Sequence, residues 1–140
     1  KHRAKKLAIQ LSQAGFKSTS LQGNLSQAKR DEAMNAFRKG HVKILVATDI
    51  AARGIDVSQV SHVINFDIPD TVEAYTHRTG RTGRMENLGT ALTFVTREDF
   101  QMVRSIERVL GERLEHRDTK GFGYPISLKI KKSSIEKTDP

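Results

Sequence analysis

An α/β fold, with a mainly parallel sheet and helices on both faces, is predicted by three features of this 140-residue sequence. Short apolar runs rich in β-branched residues alternate with longer segments whose apolar positions recur at helical spacing, which is the pattern of βαβ units. Gly15, Gly40 and Gly111 each follow a helical stretch and supply its stop. The length suits one compact unit with one core.

Each element follows from local chemistry. Leu7, Ala8, Leu11 and Ala14 fall on one face of a helix over 4–14, closed by Gly15. A short segment, 18–21, leads into Gln22-Gly23-Asn24, and Ser26 can cap a second helix that carries Ala33, Ala36 and Phe37 on one face and ends at Gly40. The run Val42-Lys43-Ile44-Leu45-Val46-Ala47 reads as a strand buried on both faces. Residues 62–66 repeat that character, Asp70 or Thr71 can cap a helix through Arg78, and 89–95 form a further strand. Thr96 and Asp99 approximate a capping box for a last helix whose buried face is Phe100, Val103, Ile106 and Leu110, ended by Gly111. No internal repeat is present.

These elements define a domain over 1–116, followed by a basic linker or tail over 117–140 with six Lys/Arg against three Asp/Glu. A hydrophobic content of 36%, a charged content of 29% and a mean hydropathy of −0.51 fit a core-forming, soluble protein without a membrane span. Cysteine is absent, so neither a disulfide framework nor a thiolate metal site is available. No secretory pattern opens the chain, and a cytoplasmic setting, or a nuclear one in a eukaryote, is expected. The net charge of +8 favours a polyanionic partner such as nucleic acid, although a solvated basic surface would have the same composition.

Two segments concentrate chemistry. His77-Arg78-Thr79-Gly80-Arg81-Thr82-Gly83-Arg84 combines two glycines with three arginines, and guanidinium forks at fixed spacing suit phosphate oxygens. Ala47-Thr48-Asp49-Ile50-Ala51-Ala52-Arg53-Gly54-Ile55-Asp56 follows a predicted strand, and in open α/β sheets ligands bind beyond the carboxyl ends of strands. Helix capping by Thr48 or Asp49 is the simpler use of the second segment.

Together the two segments resemble motifs V and VI of the C-terminal, RecA-like domain of DEAD-box ATP-dependent RNA helicases. Gln22-Gly23 with Gln27 and Arg30 is similar to that family's RNA-contacting helix start, with Gln22 where the family usually has His. The run Val63-Ile64-Asn65-Phe66-Asp67-Ile68-Pro69 matches the strand between motifs V and VI, and Thr79 stands where Ile is usual. The resemblance covers about 1–114 and keeps motif order and spacing. His77 fits the DEAD-box form of motif VI, whereas DEAH-type relatives begin it with Gln.

The resemblance implies roles residue by residue. Arg81 and Arg84 are the expected arginine fingers for ATP held on an N-terminal RecA-like domain. Asp56 is expected at the ATP ribose, and Asp49, His77 and Arg78 are expected to couple the two motifs to that partner domain. Gly23, Gln27, Arg30, Thr48, Arg53 and Gly54 are expected along the RNA backbone, with weak sequence preference. The sequence contains neither a Gly-x-x-x-x-Gly-Lys-Ser/Thr phosphate cradle nor an Asp-Glu-Ala-Asp segment. ATP and Mg²⁺ are therefore expected to bind mainly on the N-terminal domain, with no cofactor, metal or hydrolysis from this chain alone. The family also places a strand before the first helix, so the sheet is expected to lack that member, and residues 126–130 or a second copy of the chain could shield the gap. Two alternatives share these residues: a catalytically inert RNA-binding or scaffold module, and a DNA translocase on the same fold.

Overall fold

The computed structural model describes residues 2–53, 55, 60–82 and 89–117. Helix α1 (His2–Gln13) is followed by strand β1 (Ser18–Leu21), helix α2 (Gln27–Arg38), strand β2 (Ile44–Ala47) and the short helix α3 (Asp49–Ala52). Strand β3 (His62–Asn65), helix α4 (Val72–Thr79), strand β4 (Thr90–Thr93), a 3-10 turn (Arg97–Asp99) and helix α5 (Phe100–Leu110) complete the order. Residues 126–130, and all of 118–140, lie outside the described residues.

The punctuation works as its chemistry dictates. Ser26 accepts a bond from the Lys29 amide at the start of α2, and Thr71 accepts one from Ala74 at the start of α4. Asp99 accepts from both the backbone N–H and the hydroxyl of Thr96, at 2.7 and 2.8 Å, closing the capping box ahead of α5. At the other end Gly111 adopts φ 73° and donates to the Glu107 carbonyl, a left-handed cap that a Cβ would strain.

All described strands are parallel, but they form two small sheets rather than one. Strand β1 pairs with β2 from Ser18↔Ile44 to Leu21↔Ala47, and β3 pairs with β4 from His62↔Thr90 to Asn65↔Thr93. The expected reduced strand complement thus takes the form of a break between β2 and β3. One consequence departs from the sequence reading: Ile44, Leu45 and Val46 are only half-buried and Ala47 is exposed, because β2 has a neighbour on one edge alone among the described residues.

The first sheet is packed against α1 and α2. Leu21, Ala33, Met34 and Ala51 form a buried cluster, with Leu25, Leu45 and Ile55 packed against it. In the second half Tyr75, Val103 and Ile106 are buried as α5 lies against α4. Phe100 and Leu110, expected on that buried face, are instead 47% and 41% exposed. They flank the buried pair at the two ends of α5.

Candidate functional site

The segments that begin at Gln22 and Thr48 sit at the carboxyl ends of β1 and β2, where a parallel sheet offers loops and helix starts rather than side-chain rows. Leu21 ends β1 and leads to Gln22, which is buried, and to the exposed Gly23. The Leu25 amide donates to the Gln22 carbonyl, so the chain turns directly into α2. Gln27 lies exposed on the first turn and donates to Asp31 at 2.9 Å, while Arg30 reaches the Ala51 carbonyl at 3.4 Å.

That last contact joins the first segment to the second. Ala47 ends β2, and Thr48 opens α3, its amide donating to the Leu21 carbonyl at the end of β1. Ala51 is fully buried and anchors α3 in the core, which leaves Arg53 exposed at the helix end. Gly23, Gln27, Arg30, Thr48 and Arg53 therefore gather at one end of the β1–β2 sheet. Gly54 and Asp56 lie outside the described residues.

The arginine-rich segment begins on the last turn of α4. His77 is exposed, with a long 3.9 Å approach to Glu73 one turn earlier. Arg78 turns inward: its Nε and one terminal nitrogen hold both carboxylate oxygens of Asp49 at 2.6 Å. The arginine beside it holds the Asp49 carboxyl below the usual carboxylate range, chiefly through those hydrogen bonds and against the opposing effect of burial. Gly80 ends α4, and a Cβ there would stand 3.0 Å from the Thr76 carbonyl oxygen, so the turn is tight.

Past that turn, Arg81 donates to the Ile55 carbonyl at 2.7 Å and Thr82 donates to the Val60 carbonyl at 2.5 Å. Gly83 and Arg84 lie outside the described residues. The structure thus brings Asp49, Arg78 and Arg81 together and sets Arg81 against the segment that carries Thr48 and Arg53. It does not bring His77 into that group. Sequence reasoning missed Asn65, which is 2% exposed and accepts from Arg78. An amide inside the apolar run Val63-Ile64-Asn65-Phe66 was the available signal, since a buried amide needs a partner.

Among the described residues no group of three or more His, Cys, Asp or Glu side chains is placed to hold a metal ion. No helix among them is long and apolar enough to cross a membrane.

Comparison with known proteins gives these observations a family. The model of the helicase conserved C-terminal domain matches residues 1–86. The DEAD-box ATP-dependent RNA helicase CshA of Geobacillus kaustophilus is 47% identical over 115 residues, covering 82% of this chain and 25% of the relative. CshA of Bacillus subtilis is 44% identical over 115 residues, covering 82% and 23%. The chain therefore spans about a quarter of the length of these relatives. In three dimensions it is similar to the E. coli DEAD-box protein SrmB, solved bound to the regulator of ribonuclease activity A, with a TM-score of 0.78 and 42% identity over 84% of this chain and 69% of that one. It is also similar to the C-terminal domain of the DEAD-box protein Dbp5, with a TM-score of 0.73 and 36% identity over 79% and 66%. Matches of this identity, running through both motif segments and onto the same α/β architecture, make the chain a member of the DEAD-box ATP-dependent RNA helicase family, in which it is the C-terminal, second RecA-like helicase domain.

Proposed function

We propose that this domain serves an ATP-driven RNA helicase in two ways, by lining the RNA backbone and by presenting arginines to ATP held on an N-terminal RecA-like domain of the full-length protein. The observation that carries this reading is the bond from Arg81 to the Ile55 carbonyl. It joins the loop with the arginines to the segment that, by family resemblance, faces RNA.

On the RNA side, Gly23, Gln27, Arg30, Thr48, Arg53 and Gly54 supply small residues, hydrogen-bonding groups and positive charge to phosphates, without a set of base-reading side chains. On the ATP side, Arg81 and Arg84 stabilise charge that develops on the transferring phosphoryl group, while Asp56 takes the ribose and His77 meets the partner domain. Mg²⁺ would offset phosphate charge when bound. No carboxylates of this chain's described residues are gathered to hold it, so no step of the proposal runs through this chain's own metal site. The setting is taken to be cytoplasmic or nuclear.

Substituting Arg81→Ala or Arg84→Ala in the full two-domain enzyme tests the assignment. Arginine fingers are worth on the order of 10³ to 10⁵ in rate, so turnover at saturating ATP and RNA should fall more than about tenfold even if the pair shares the load. Binding of RNA and nucleotide should persist, because a finger acts mainly on the transition state. Lys at either position should recover only part of the rate, since a point charge lacks the planar fork. Near-normal turnover in both Ala variants would return the domain to an inert RNA-binding module.

A further inference from the structure

The guanidinium of Arg78 is spent inside the domain. Beyond its two 2.6 Å bonds to Asp49, the remaining terminal nitrogen donates to Asn65 Oδ1 at 3.3 Å and to the Asp67 carbonyl at 2.9 Å. These partners belong to different sheets. Asp49 opens α3 at the end of β2, whereas Asn65 ends β3 and Asp67 follows it. No backbone ladder joins β2 to β3 among the described residues, so Arg78 bridges the break from the last turn of α4.

The chemistry around it is built for that task. Asn65 is an amide that follows the apolar pair Val63 and Ile64 on β3, and its two ends are used by Arg78 and by Thr93, to which it donates at 3.1 Å. Burying an amide is costly unless it is paired, so Asn65 makes sense as a fixed acceptor for the guanidinium. Asp49 meets Arg78 fork to fork, a geometry that specifies direction as well as charge. Three residues further on, Arg81 grips the Ile55 carbonyl, so the end of α4 holds the 49–55 segment at two points.

We propose that Arg78 is a positioning residue for hydrolysis: its fork locks the Asp49–Ala52 helix to the end of β3, so that this helix and Arg81 move as one body and RNA seated at Thr48 and Arg53 sets where Arg81 points. The inference rests on the function proposed above. It assigns Arg78 and Asp49 to a latch within the domain, in place of direct contact with the partner domain.

The test is ATP turnover across an RNA titration with the full two-domain enzyme carrying Arg78→Lys, Asp49→Asn or both. The latch predicts that turnover at saturating RNA falls about tenfold in each single variant, while the RNA concentration for half-stimulation moves less than about threefold. The double variant should be no worse than the weaker single by more than about twofold, because one broken latch cannot be broken again. Lys does not rescue, since it cannot hold two carboxylate oxygens and two carbonyl oxygens in one plane. Thermal melts on the same preparations identify any variant that is unfolded; Asp49→Asn keeps its shape and decides the matter if Arg78→Lys does not fold. Wild-type turnover in Asp49→Asn, additive losses in the double variant, or a tenfold rise in half-saturating RNA with turnover intact would each overturn the proposal. Arg81→Ala separates the two levels: if it retains its rate the finger reading fails, whereas a dead Arg81→Ala beside a normal Asp49→Asn removes the latch alone.

Discussion

The two small sheets are built from the same kind of strand but are finished differently. Around β1 and β2, helices α2 and α3 contribute to a buried cluster in which Leu21 is 1% and Ala51 is 0% exposed. Around β3 and β4, among the described residues, only the side carrying Asn65 and Thr93 is engaged. Ile64 and Leu92, paired across the strands, are 58% and 42% exposed, and Phe66 and Phe94 continue that face with rings 6.2 Å apart, edge to face. Parallel strands are normally covered on both faces, so the second sheet is a parallel sheet finished on one side. Apolar sequence specifies that a strand will be buried; only neighbours decide how far.

The largest expected effect follows from that contrast. Leu21→Ala removes a side chain from a closed cluster and should destabilise the chain by about 2–5 kcal/mol, the range for buried leucines. Phe94→Ala removes a larger side chain from an open face and should cost under about 1 kcal/mol. Urea titration of the two variants measures the difference. Equal costs would mean that the Ile64, Phe66, Leu92 and Phe94 face is covered in solution.

The elements legible in the sequence were those governed by neighbours along the chain. Ser26, Thr71 and Thr96 act at the helix starts assigned to them and Gly111 at its helix end, because caps and left-handed turns depend on residues within one helical turn. The place of Thr48 and Arg53 was legible for a different reason: ligand sites of open parallel sheets lie beyond the carboxyl ends of strands, whereas Gln27 and Arg30 were reached through the family resemblance. The latch was not legible. Arg78 and Asp49 are 29 positions apart, and either could equally have faced outward. Nor could apolar pattern alone foresee the half-buried β2 or the exposed Phe100 and Leu110, since burial there depends on partners that the strand or helix does not itself encode.

The bond across the break between the halves makes the next effect pH-dependent. Asp49 has a folded pKa below its ordinary value of 3.8, so its contribution is fully present above that value and is lost as the pH falls through the lower folded one. Asp49 is 53% exposed at its side chain, and solvent screening limits the pair to about 1 kcal/mol. Asp49→Asn should therefore be less stable than the parent at pH 7, and the difference should shrink as acid is added below about pH 4. Urea midpoints at pH 7 and pH 3 check this. A gap that stays constant between the two would show that the carboxylate charge is not what Arg78 uses.

The smallest expected effect compares the helix starts of the two halves. In the second, Asp99 closes the entry to α5 with two bonds of 2.7 and 2.8 Å, and a carboxylate there also suits the helix dipole. In the first, Ser26 reaches the Lys29 amide only at 3.4 Å, near the limit of a hydrogen bond. Asp99→Ala should thus cost about 1 kcal/mol, as a lost cap ordinarily does, while Ser26→Ala should cost about 0.5 kcal/mol less than that. The difference bears on function, because a helix start that is loosely closed by its own side chain keeps its amides open to a phosphate, whereas one closed by a carboxylate repels it. In the full enzyme with RNA bound, the Ser26→Ala deficit should narrow further as phosphate takes over the cap, and Asp99→Ala should be unchanged by RNA. If Ser26→Ala costs as much as Asp99→Ala and RNA does nothing to the deficit, the start of α2 is a closed cap like that of α5, and the RNA path must run elsewhere along the carboxyl edge.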